Sequence, residues 1–101
     1  MKRAMITAVA GFALVLFQPV ANAEVDAKWA QAEAKEHGCL NCHAIEKKKV
    51  GPSYESVSKK FKGKTVGDAV GSLKTKPVHE SVIKKVSEQD LKLIVEWILS
   101  L

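Results

Sequence analysis

The chain has 101 residues, enough for one small domain and no second one. Its formal charge is +5, from 16 Lys and Arg against 11 Asp and Glu. The single Arg is Arg3 and every later cation is Lys, which argues against a phosphate or nucleic-acid site built on guanidinium forks.

In chain order, the first 23 residues read as an export signal. Met1-Lys2-Arg3 is a short basic start, Ala4 to Phe17 carries no charge and is largely apolar, and Ala21-Asn22-Ala23 is a small-x-small cleavage site. Fourteen such residues are too few for a permanent span, which needs ~20, and an uncleaved anchor has no use for the Ala-x-Ala ending. The expectation is a cleaved signal over 1–23, a single domain over 24–101, no membrane span after cleavage, and a periplasmic location. The remaining 78 residues carry 14 Lys and 11 acidic side chains, hence +3. Export is a second argument against a nucleic-acid partner. A chain so short buries little of its own surface and generally needs a disulfide, a metal or a cofactor to hold it. Both methionines, Met1 and Met5, fall in the signal, so 24–101 contains none.

Val25 to His37, rich in Ala and carrying Trp29, reads as a helix ended by Gly38 in the left-handed position. Ala30 and Ala34 give it a flat side that another helix can approach closely. Tyr54, Val57 and Phe61 recur at helical spacing after the turn Val50-Gly51-Pro52. Thr65 can cap a helix with Val66, Ala69, Val70 and Leu73 on one face, ending before Pro77. Ser87 caps the last helix, with Glu88 and Asp90 in its first turn. Lys92, Glu96 and Ser100 gather there into a narrow polar stripe and the rest is apolar, so this helix must be buried against more than one neighbour. No alternating strand pattern is present; the expected fold class is all-α.

Between the first two helices stands Cys39-Leu40-Asn41-Cys42-His43, the C-x-x-C-H run that attaches c-type haem. Two thiols three positions apart can each add to one of the neighbouring vinyl groups on a porphyrin edge, and the next residue, His43, can then reach the iron. Three readings compete with it. The pair can form a structural disulfide; it can be a thioredoxin-like redox pair, which wants a βαβ pattern; or two Cys and two of the three His can hold zinc. Haem also explains how 78 residues find a core, because the porphyrin supplies it.

Gly38 to Ile45, followed by Lys49-Val50-Gly51-Pro52-Ser53-Tyr54, resembles the small soluble monohaem class I cytochromes c of bacteria, and Val95-Glu96-Trp97-Ile98-Leu99 matches their last helix. The resemblance covers 24–101 except Thr65 to about Lys85. It implies an all-α wrap around one covalent haem c, with the terminal helices in contact, Cys39 and Cys42 holding the haem, His43 ligating its iron, and the carbonyl of Pro52 accepting a hydrogen bond from His43. Such cytochromes bring their sixth ligand as a Met in a proline-rich loop before the last helix. Here that stretch reads Lys76-Pro77-Val78-His79-Glu80-Ser81, and His79 is the expected replacement. Lys76 is the competing ligand, and His37 stands too close to Cys39 to reach the opposite face. A further departure is Ala34, where the family favours an aromatic; Trp29 is the candidate substitute.

The resemblance implies an electron carrier and not an enzyme, with redox proteins as partners. The lysines at 47–49, at 59, 60, 62 and 64, and at 84 and 85 are either a solvated face or a ring that steers acidic partners onto the haem edge. Two other functions stay open: a gas-binding or sensing haem protein with an open or displaceable sixth position, and a haem subunit of a larger redox enzyme that covers the apolar last helix.

Overall fold

Asp26 starts the first helix by accepting the backbone N–H groups of Lys28 (2.9 Å) and Trp29 (3.4 Å), two of the donors a helix start leaves without partners. This and the other geometry come from a computed structural model, which describes residues 26–101 together with Gly11. The expected signal and its cleavage site after Ala23 lie outside the described residues. Helix α1 covers Ala27–Glu36 and stops where Gly38 takes φ +85°, a conformation that costs little only without a Cβ.

Three of the later helices are each opened by a side chain. After α2 (Cys39–Cys42), a single turn, Ser53 accepts the Ser56 N–H at 3.1 Å ahead of α3 (Tyr54–Lys60). Thr65 accepts the Asp68 N–H at 3.1 Å, and the Asp68 carboxylate accepts the Thr65 N–H at 3.2 Å; this reciprocal pair opens α4 (Val66–Lys74). Pro77–His79 forms a 3₁₀ turn that runs into α5 (Glu80–Ile83). Ser87 accepts the Asp90 N–H at 3.1 Å ahead of α6 (Glu88–Leu99). Among the described residues every regular element is helical, in agreement with the all-α expectation.

Two short elements, α2 and the turn with α5, have no counterpart in the sequence reading. Four residues are too few to display a helical period. Proline at the first position of the 3₁₀ turn has its φ preset and needs no N–H there.

Helix α6 lies at the centre and packs on α1, α3 and α4. Ala30 and Ala34 are fully buried (0% exposed), so α1 makes its contact with α6 on the small side chains that the sequence places four apart. Leu91, Ile94, Val95, Trp97 and Ile98 are buried, whereas Lys92 and Ser100 are exposed and Glu96 half-buried, as the polar stripe requires. The apolar circumference of α6 is therefore covered largely from within the chain, and it no longer argues for a larger enzyme around this protein. Trp29 packs partly buried against this core. The Ser58 hydroxyl reaches the Leu99 and Leu101 carbonyls (3.0 and 2.9 Å), tying α3 to the end of α6. Lys74 pairs with Glu88 at 2.6 Å between α4 and α6, a hydrogen bond that holds the Glu88 carboxyl below the usual range.

Candidate functional site

Helix α2 turns the C-x-x-C spacing into geometry: residues three apart share one side of a helix. The His43 N–H donates to the Cys39 carbonyl at 3.1 Å, and His43 then leaves the turn in an extended conformation. Cys39 is half-buried against the core and Cys42 is exposed, and no disulfide joins them. Burial pushes the Cys39 thiol up, offset in part by hydrogen bonds from its own backbone and from Tyr54. Burial likewise pushes the Tyr54 phenol up. A thiol pushed up in this way is a poorer nucleophile, contrary to what a thioredoxin-like redox pair needs. Among the described residues no three His, Cys, Asp or Glu side chains converge as a ligand group.

The segment after His43 is pinned to α2 by its backbone. The Gly51 N–H donates to the Cys42 carbonyl at 2.7 Å, the Lys49 N–H to the Gly51 carbonyl at 3.1 Å, and the Lys49 ammonium to the Leu40 carbonyl at 3.1 Å. This fold-back brings Pro52 to His43, whose Nδ1 lies 2.6 Å from the Pro52 carbonyl. A carbonyl only accepts, so Nδ1 carries a proton, and in the neutral ring the lone pair is then on Nε2. Gly51 is small because the imidazole lies against it. A Cβ there would come within 2.9 Å of both Nδ1 and Nε2 of His43, and nearer still to Cε1.

His79 is held in the same manner. Its Nδ1 donates to the Leu73 carbonyl at 2.7 Å, which in the neutral ring again puts the lone pair on Nε2. The rings of His43 and His79 have centroids 6.3 Å apart and planes inclined by 27°. Two imidazoles bonded through nitrogen to opposite sides of one metal ion, at about 2.0 Å each, have ring centroids roughly 6 Å apart. The donor set therefore fits a six-coordinate haem iron. Val50 (84% exposed) and Val78 (79% exposed), beside Gly51 and His79, are the most exposed large apolar side chains among the described residues.

Tyr54 connects this site to the core. Its ring lies 5.2 Å from that of His43 and meets Trp97 edge-on at 5.7 Å. Of the alternative ligands, His37 pairs through Nε2 with Glu33 at 3.0 Å along α1, and Lys76 is exposed beside the turn that carries His79. Sequence reasoning missed the Leu73 carbonyl, the reason for Gly51, and the reach of Tyr54 toward both His43 and Cys39. The last two stand inside the Val-Gly-Pro-x-Tyr run that the sequence singles out; a backbone carbonyl leaves no trace in residue type.

No family profile matches the chain. It is similar to cytochrome c-552 of Hydrogenobacter thermophilus, 36% identical over 110 residues that span 100% of this chain and 99% of that protein. It is also similar to cytochrome c-552 of Nitrosomonas europaea, 33% identical over 94 residues, 80% of this chain and 89% of that one. Among solved structures it resembles the class 1 cytochrome MtoD from Sideroxydans lithotrophicus ES-1, with a TM-score of 0.61 and 30% identity over 74% of this chain and 95% of that chain.

Proposed function

The chain belongs to the class I monohaem c-type cytochromes, electron carriers rather than enzymes that hold one covalent haem c, and from that premise we propose an exported, periplasmic carrier whose iron is bound by His43 and His79. Cys39 and Cys42 hold the haem through thioethers. The observation that carries the bis-His reading is the pair of imidazoles 6.3 Å apart, each with Nδ1 on a backbone carbonyl and Nε2 available. When bound, the haem supplies a one-electron Fe(III)/Fe(II) couple. The residues around it set where that couple lies. Donation of both Nδ1–H groups to carbonyls strengthens both imidazoles as donors, and residues 24–101 contain no Met to raise the potential. The carrier therefore works at a lower potential than one whose haem iron takes a Met.

Three measurements on protein from an exporting cell test this reading. The intact mass equals residues 24–101 plus one haem, and acidic organic solvent fails to extract the haem. The reduced protein does not bind carbon monoxide. A haem that extracts overturns the covalent assignment, and ready carbon monoxide binding by the wild type moves the gas-binding reading ahead.

Docking follows from charge. Lys47 and Lys48 are exposed, while the Lys49 ammonium is tied to the Leu40 carbonyl beside the attachment motif. We read this run as the steering surface for acidic redox partners. The rate of electron transfer to such a partner falls as salt rises, since charge reaches only about 8 Å at physiological ionic strength. Replacing Lys47, Lys48 and Lys49 with Gln lowers both the rate and its salt dependence, the first two accounting for most of the loss. An unchanged salt profile returns the run to plain solvated surface.

A further inference from the structure

A carbonyl inside an α-helix accepts from the N–H four residues on, and for Leu73 that residue is Pro77, which has none. Leu73 stands in the last turn of α4. Its oxygen instead takes the Lys76 N–H at 3.3 Å and the His79 Nδ1–H at 2.7 Å, which fills its two lone pairs. Pro77 acts on the residue before it as well. The ring disfavours the helical region there, and Lys76 is extended at φ −95° and ψ 120°. Helix α4 therefore cannot run on, and the 3₁₀ turn Pro77–His79 carries the imidazole back over the end of α4. Any other residue at 77 brings an N–H that competes for the Leu73 oxygen and allows the helix to continue.

We infer that Pro77 is the positioning residue of His79. By withholding a backbone N–H it reserves the Leu73 carbonyl for Nδ1, which fixes the tautomer with Nε2 unprotonated and strengthens the ring as a donor. The two histidines are thus oriented by two prolines in different ways: Pro52 offers a carbonyl to His43, and Pro77 spares one for His79. This inference rests on His79 being an axial ligand.

Pro77→Ala in the holoprotein tests it, at an exposed position outside the hydrophobic core. In the low-spin ferric wild type, NMR finds two hyperfine-shifted, slowly exchanging Nδ1–H resonances, one for each ligand. In the variant the His79 resonance exchanges roughly five- to tenfold faster, as loss of one hydrogen bond implies. The His43 resonance is unchanged and the reduction potential rises. Lys76→Ala, which alters the same turn but keeps Pro77, leaves exchange and potential as in the wild type. If both resonances and the potential survive Pro77→Ala, or if Lys76→Ala changes them equally, Pro77 has no special role although His79 ligates. A single such resonance in the wild type removes His79 as a ligand, and this inference falls with it.

Discussion

Replacing His79 with Ala is expected to turn the ferric protein from low-spin to high-spin and to let the reduced form bind carbon monoxide. The wild type should be low-spin and should lack the long-wavelength absorption band of a sulfur–iron bond. Alanine brings no donor atom, and residues 24–101 contain no Met that could take over. Lys76 is the neighbouring candidate, but an amine must lose a proton to bind, whereas a neutral imidazole already presents its lone pair. The fold should survive. His79 is half-buried and its side chain makes one hydrogen bond, to the Leu73 carbonyl, whose loss costs about 1 kcal/mol. Absorption and electron paramagnetic resonance of the two proteins check the point. An unchanged spectrum in the variant removes His79 from the iron, and a wild type that is already high-spin favours gas binding over electron transfer.

Gly51→Ala should be the most damaging single methyl addition in the site. Its Cβ would meet the His43 imidazole at 2.9 Å from both ring nitrogens, tighter than van der Waals contact permits. Neither side can give way freely. The ring is held by the Pro52 carbonyl at 2.6 Å, and the backbone at 51 is held by the Cys42 carbonyl at 2.7 Å. Overpacking of this kind costs about 1–3 kcal/mol, which lowers the thermal midpoint of so small a domain by roughly 5–15 °C. Displacing His43 from Pro52 also weakens it as a donor, so the reduction potential should rise. Gly67→Ala is the control, since a Cβ there meets only the Thr65 hydroxyl, at an ordinary 3.6 Å. Equal stability and potential in Gly51→Ala and the wild type would show that the ring has room to move.

What the sequence determined by itself was local. Capping residues set the starts of α4 and α6, because a Ser or Thr side chain reaches only the N–H groups of the next turn. Apolar spacing fixed the buried face of α6, and Ala30 with Ala34 fixed where α1 meets it. The C-x-x-C-H run named the cofactor because its chemistry depends on spacing along the chain. His79 became a candidate ligand through its place before the last helix. Tertiary structure alone decided what lies between distant residues. The shortness of Gly51 answers to a ring eight positions earlier. The Leu73 oxygen became a partner for His79 only when the chain turned back at Pro77. Tyr54 reaches His43 and Trp97 at once because α3 packs on α6. Residue type and periodicity record which groups a segment can offer; which groups meet depends on how the helices close around the site, and hydrogen bonds to backbone carbonyls are the part of that closure with no signature in side-chain identity.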